Sequence, residues 1–262
     1  MTNPPSRVAL VTGGASGIGR CLAERLVRSG AVCVVADRNQ ALVEETAAAL
    51  GCHGVALDVR DVGQVAAAVA EITASRGPID LLINSAGITR AGETHGLAYD
   101  DWKDVIDVNL YGVVNCVHAV YPQMVGRRAG QIVNIASIAG LFPAAGQVSY
   151  VASKYAVVGL SQALRAEAAC HGVRVSVVCP GIIDTPMTRN LSVKAEKASR
   201  IEGLIPRGIP VERCADDILA GMERNDATIL IGGLARSLYA LNRASPRLAG
   251  ALNELSVRFL NR

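Results

Sequence analysis

Short apolar runs alternate with helix-period segments along most of the chain. Val8–Val11 is an apolar run ending at Thr12, after which Ile18, Leu22 and Leu26 recur every four residues on one helical face. Ala31–Ala36, closed by Asp37, predicts a second strand, Gln40–Leu50 a helix, and Val55–Leu57 a third strand. Val62, Val65, Val69 and Ile72 step by three, four and three, again one helical face. Ile79–Ile83 reads as the fourth strand, roughly Tyr99–Val125 as two helical stretches, and Ile132–Ala136 as the fifth strand. Ser149–Cys170 follows as a long helix, Val173–Val178 as the sixth strand and Ala227–Ile231 as a seventh. Runs that do not alternate in polarity are buried on both faces, which calls for a parallel sheet covered by helices on each side. The expected fold class is α/β, a doubly wound parallel sheet of about seven strands. The rhythm predicts a single domain over 1–233, with 234–262 as an extension.

Composition narrows the functional classes. Of 262 residues, 50% are hydrophobic and 19% charged, enough apolar surface for a large core and too little charge for disorder. Aromatic residues make up only 3%, which leaves little for stacking bases, and a net charge of +3 is too weak to call for a polyanion. No nucleic-acid partner is expected. The seven cysteines are odd in number and form no C-x-x-C pair, the pattern of reduced thiols in a cytoplasmic protein. His53, His95, His118 and His171 share no ligand spacing, so no metal is expected. Met1–Ser6 is polar and carries no signal sequence, and the charge-free stretch Ala129–Ser153 holds too many polar residues to span a membrane.

The first strand runs directly into Thr12-Gly13-Gly14-Ala15-Ser16-Gly17-Ile18-Gly19, and a helix starts within that segment. Glycines let the backbone turn sharply and approach a pyrophosphate, while a helix N-terminus offers unpaired N–H groups and partial positive charge. Asp37 closes the second strand 18 residues beyond Gly19, where a carboxylate can accept hydrogen bonds from ribose hydroxyls and repel a 2′-phosphate. NAD is therefore favoured. Arg38 keeps NADP open, because a guanidinium can pair with that phosphate.

Tyr150 and Lys154 are four residues apart at the start of the long helix and share a face. A free phenol, with a pKa near ~10, is a poor base at neutral pH. An ammonium about 5 Å away at an effective dielectric of about 20 would favour the phenolate by roughly 3 kcal/mol, about two pKa units. Such a pair can serve as a general acid/base unit, but the spacing alone equally describes a surface i,i+4 pair, and the neighbouring motifs decide between them. Ser137 follows the fifth strand at the carboxyl edge, where open α/β sheets bind ligands.

Further motifs stand in order. Asn84-Ser85-Ala86-Gly87 closes the fourth strand, Asn109 lies in Asp107-Val108-Asn109-Leu110-Tyr111-Gly112, and Pro180-Gly181-Ile182-Ile183-Asp184-Thr185-Pro186 follows the sixth strand. Over about residues 7–231 the sequence resembles the short-chain dehydrogenase/reductase family in its compact, single-domain, Rossmann-like branch. Where family members read N-N-A-G, this chain has Ser85.

The resemblance implies that Gly13, Ser16, Gly17, Ile18 and Gly19 line the pyrophosphate, that Asp37 meets the adenosine ribose, and that Asp58 and Val59 border the adenine. It implies that Asn84, Ala86 and Gly87 pack along the cofactor, and that Pro180, Gly181, Ile183 and Thr185 lie at the nicotinamide, the last two at its carboxamide. Ser137 would hydrogen-bond the substrate oxygen, Tyr150 would exchange its proton, and Lys154 would hold the nicotinamide ribose and lower the tyrosine pKa. Asn109 would anchor a water in a relay through Lys154. The implied activity is hydride transfer between a nicotinamide cofactor and a secondary alcohol or ketone, in a homodimer or homotetramer.

The substrate side is less specified. Met187, Leu191, Leu204 and Ile205, with Leu141 and Phe142, suit a lipophilic, steroid- or retinoid-like alcohol, whereas Lys194, Lys197 and Arg200 add charge to the same segment. A 3-oxoacyl-thioester reductase of the same family is the alternative enzyme, and a non-catalytic nucleotide-binding scaffold the alternative class. From Leu234 onward, five Arg face one Glu. Ser245-Pro246 reads as an N-cap and first helical residue, after which Leu248, Leu252, Leu255 and Phe259 form one stripe. This basic amphipathic helix either docks on its own domain or a sister subunit, or lies peripherally on an anionic membrane.

Overall fold

The computed structural model describes residues 7–189 and 208–260. Strand β1 (Val8–Thr12) is buried at all five positions, so its apolar run faces helices on both sides. β4 (Leu81–Asn84) is likewise buried throughout, β2 (Val32–Asp37) is buried except at its two ends, β5 (Gly130–Ile135) except at Gly130 and β6 (Val173–Pro180) except at Arg174, with β3 (His53–Ala56) at one edge and β9 (Thr228–Ile231) at the other. All seven pair in parallel, in the order β3-β2-β1-β4-β5-β6-β9. The order reverses between β1 and β4, and the crevice above their carboxyl ends is where such sheets bind ligands.

Helices fill both faces. α1 (Gly17–Arg28), α2 (Gln40–Leu50) and α8 (Val211–Glu223) cover one side, where Leu22, Val35 and Ile218 share a core. α3 (Val62–Arg76), α5 (Gly112–Arg127) and α6 (Val148–Ala169) cover the other, with Val69, Leu82 and Val120 at its centre. Asn39 caps α2 by accepting the Leu42 N–H at 3.2 Å, and Asp61 caps α3 through Gln64 N–H at 3.0 Å.

Several elements differ from the sequence reading. β3 begins at His53 and not Val55, because register with Val34 extends pairing over two residues that carry no apolar signal. The stretch Tyr99–Val125 is one continuous path: α4 (Tyr99–Ile106), a π turn (Asp107–Tyr111) and α5. A two-residue strand β7 (Ile183–Asp184) pairs with β8 (Ile209–Pro210), too short for any periodicity to register, and α7 (Pro186–Arg189) follows β7. After β9 the expected helical extension over 234–262 divides into two helices, α9 (Gly233–Ala244) and α10 (Pro246–Leu260). Ser245 does accept the Leu248 N–H at 3.3 Å, as an N-cap should. The face α10 turns inward carries Ala249, fully buried, while Leu248, Leu252 and Leu255 are 51, 45 and 63% exposed. Phe259, Arg262, Leu191, Lys194, Lys197, Arg200, Leu204 and Ile205 lie outside the described residues or side chains.

Candidate active site

A cleft runs along the carboxyl edge of the sheet from Asp37 to Tyr150. At one end β1 turns through Gly13 and Ser16 into α1. Gly13 has φ +62°, and a Cβ there would sit 2.7 Å from the Ala86 backbone nitrogen, so only glycine closes this crossing of two strand ends. Gly17, at φ +51°, would direct a Cβ to within 3.5 Å of Thr185 Cγ2, which is space belonging to the cleft. Ser16 stands at the α1 N-cap without capping it, which leaves the first-turn N–H groups to face a ligand.

Asp37, Arg38, Leu57, Asp58 and Val59 form the far end of the cleft. The Asp37 carboxylate accepts the Asn39 N–H at 3.2 Å, which aims it off the strand end. Asp58 is held by Arg60 at 2.6 Å, and that contact together with nearby Arg38 keeps its carboxyl below the usual range.

At the other end Ser137, Tyr150 and Lys154 line one wall. Lys154 is buried, donates to the Ile135 carbonyl at 2.9 Å, and has its Nζ 5.5 Å from the Tyr150 ring centroid. Burial pulls the Lys154 ammonium down to about 8, with Cys179 acting weakly the other way. Desolvation pushes the Tyr150 phenol up, and hydrogen bonding with Ser137 opposes that rise. Ser137 is the group that opposes this rise, and Lys154 carries a desolvation penalty of its own. Cys179, pushed up to about 12 by burial, is a neutral thiol.

Three expected site residues do not line this cleft. Gly19 is buried, with no room for a Cβ beside the Gly13 carbonyl, so it serves contact between loop and helix. Asn84 donates to Asn134 Oδ1 on the neighbouring strand at 2.8 Å. Asn109, fully buried in the π turn, clamps Ile88 by accepting its N–H at 2.8 Å and donating to its carbonyl at 2.9 Å, and donates to Ser153 Oγ at 3.0 Å. π turns recur at functional sites; here the turn brings Asn109 toward Gly87, where a Cβ would meet both Asn109 Oδ1 and Lys154 Nζ. The remaining expected residues, including Ala86, Gly87, Pro180, Gly181, Ile183 and Thr185, do line the cleft. Ala36, Ile88, Val108, Ile135, Pro186 and Thr188 were not singled out, although the first and fourth are the strand-end positions where this fold places ligands.

Residues 7–196 match the model of the short chain dehydrogenase family. The chain belongs to that family. Among its relatives are the oxidoreductase UcpA of Salmonella typhimurium, 36% identical over 82% of this chain and 84% of that protein. The 3-oxoacyl-[acyl-carrier-protein] reductase FabG of Vibrio harveyi is 38% identical over 72% and 79%. A short-chain dehydrogenase structure from Streptomyces avermitilis superposes with a TM-score of 0.83 at 27% identity, covering 98% of this chain and 99% of that one. LigD from Sphingobium, in its apo form, gives 0.77 at 31% identity, covering 88% and 92%.

Short-chain dehydrogenases are oxidoreductases that use nicotinamide cofactors, and the Gly17 cradle and the uncapped α1 terminus fit a dinucleotide. Among the described residues, no helix is long and apolar enough to cross a membrane.

Proposed function

We propose that the chain transfers a hydride between NAD and a lipophilic secondary alcohol or ketone. The observation that carries this reading is the convergence of Ser137, Tyr150 and Lys154 on one wall of a cleft whose opposite end is built by the glycine turn and Asp37. When bound, the nicotinamide supplies or accepts the hydride. Ser137 and Tyr150 hold the substrate oxygen, and Tyr150 gives up or takes its proton. Lys154, below about pH 8, is the cation that holds the ribose end and faces the phenolate formed when the tyrosine donates. Asn109 fixes Ile88 and Ser153 around that lysine.

Asp37 supports NAD over NADP, since a carboxylate against a 2′-phosphate is repulsive, whereas exposed Arg38 is the only feature at that end favouring the phosphate among the described residues. Ile88, Pro186 and Met187 make the mouth apolar and support a lipophilic substrate. The likeness to FabG supports a second reading, reduction of a 3-oxoacyl thioester. The outward stripe of α10, flanked by Arg247 and Arg258, gives the protein a basic apolar surface suited to an anionic membrane or a second copy; sedimentation velocity and vesicle pelleting separate the two.

The test is turnover with both cofactors against a panel of hydrophobic secondary alcohols, their ketones and 3-oxoacyl thioesters. Preference for NAD with a hydrophobic alcohol is expected. Preference for NADPH with the thioester would move the assignment to the second reading, and binding of cofactor without turnover of any member would make the chain a scaffold.

A further inference from the structure

Ser137 is carried by a short link. Its Oγ accepts the Ala139 N–H at 3.1 Å, opening a single 3-10 turn, Ile138–Gly140, that ends on Leu141. That turn has neighbours on two sides. On one, Gly140 presses on α6: a Cβ there would lie 2.5 Å from the Lys154 carbonyl oxygen. On the other, α9 reaches it through Asn242, whose Nδ2 donates to the Leu141 carbonyl at 2.8 Å across 101 positions of sequence. Beyond the turn, the loop is held by α10, with the Ala145 N–H donating to Asn253 Oδ1 at 3.3 Å, and by Gly92 N–H donating to the Gly146 carbonyl at 2.9 Å.

We propose that Asn242 is a positioning residue for the reaction: it ties α9 to the turn that carries Ser137, a turn that packs through Gly140 on the helix that carries Tyr150 and Lys154, and so sets the approach of Ser137 to Tyr150. The proposal rests on the oxidoreductase reading for its consequence in catalysis, though not for the tether itself. The turn is one 3-10 repeat long, so a shift at Leu141 reaches Ser137 with little slack. Misplacement of a reacting group by about 1 Å costs on the order of 10²-fold in rate. The groups facing the Tyr150 phenol are Ser137, Lys154 and Cys179. Ser137 is the member of that set that lowers the phenol pKa, so drawing it away raises the pH at which the tyrosine acts as a base.

Asn242→Asp is nearly isosteric but cannot donate to Leu141; Asn242→Ala removes the tether outright, and Arg243→Ala, on the exposed side of the same helix, is the control. The full-length proteins are compared by amide hydrogen exchange over residues 138–147, by NAD affinity, and by the pH profile of alcohol oxidation. Both Asn242 variants should exchange at least ~10-fold faster at Gly140–Phe142 and lose roughly 10-fold or more in kcat. They should also move the basic pKa of kcat/KM upward and keep NAD affinity within about twofold, while Arg243→Ala matches the wild type. Unchanged exchange overturns the tether whatever the activity does. Faster exchange with an unaltered kcat and pH profile overturns the positioning role. If no form, the wild type included, turns over any alcohol while exchange still rises, the oxidoreductase reading fails and the tether stands.

Discussion

The two ends of the cleft are made by different means. The dinucleotide end is built from main chain: the turn after β1, the first turn of α1, and the close crossing of Gly13 and Ala86. Its chemistry comes from N–H groups and from two carboxylates, Asp37 at a strand end and Asp58 held by Arg60. The reacting end is built from side chains brought together over long sequence distances: Lys154 on the Ile135 carbonyl, Asn109 on Ile88 and Ser153, Asn242 on Leu141. A backbone site tolerates side-chain change where no Cβ intrudes and fails sharply where one does. A side-chain site degrades in steps, one tether at a time.

The largest expected effect comes from breaking the backbone end. Gly13→Val requires a left-handed φ of a β-branched residue and puts its Cβ against main-chain atoms of Ala86. A loss of stability of roughly 3 kcal/mol or more is expected, together with loss of NAD binding, read by denaturant unfolding and cofactor titration.

Comparable in size, but dependent on pH, is the penalty on Lys154. Its pKa falls from 10.5 unfolded to about 8 folded, so between those values the unfolded chain holds more protons and stability rises with pH. Relative to Lys154→Met, the wild type should gain up to about 3 kcal/mol between pH 7 and pH 10.5, since 2.5 pKa units correspond to about that energy. Parallel pH series of urea unfolding check this; a difference that stays flat would mean the lysine is not desolvated in the folded state.

Cofactor choice sharpens the comparison further. Replacing Asp37 by Ser removes the repulsive carboxylate and leaves Arg38 to favour a 2′-phosphate, so the ratio of kcat/KM for NADP over NAD should rise by roughly tenfold. Tyr150 chemistry at the other end should be unaltered, with the pH profile on NAD unmoved.

The smallest effect is expected at a helix cap whose side chain does not line the cleft. Asn39→Ala removes the α2 cap and should cost about 1 kcal/mol with turnover unchanged, as read by thermal unfolding and steady-state kinetics.

This division also explains what could be read from the sequence. A strand such as Val8–Thr12 announces itself because burial on both faces demands a run of apolar residues. The glycine turn is legible for the same reason: a φ of +62° with no room for a Cβ admits one residue type. Tyr150 and Lys154 stand out by their spacing of four on α6 and Ser137 by its place after β5, but only the whole series of motifs and the family resemblance group them. The π turn left no trace, since Asp107–Tyr111 has an ordinary helical composition, and Asn109 could be singled out but not its grip on Ile88. Asn84 ends β4 at the carboxyl edge, and nothing in the sequence signals that its amide donates to Asn134 on the neighbouring strand. Asn242 sits in a helix whose exposed side is basic and whose one buried residue is Ala235, and nothing in its neighbours points to a carbonyl 101 positions earlier. Leu248, Leu252 and Leu255 are exposed on α10, and what reaches inward from that helix is Ala249 and Asn253.

The central claim is that Tyr150 moves the proton that accompanies hydride transfer, on a site where cofactor binding is made elsewhere. Tyr150→Phe keeps the ring and removes only the hydroxyl. Pre-steady-state hydride transfer with a preferred hydrophobic alcohol, measured beside NAD affinity in the same preparation, tests it directly. A rate reduced by at least ~10²-fold with NAD affinity within about twofold of wild type is expected. Near wild-type hydride transfer by the variant would contradict it.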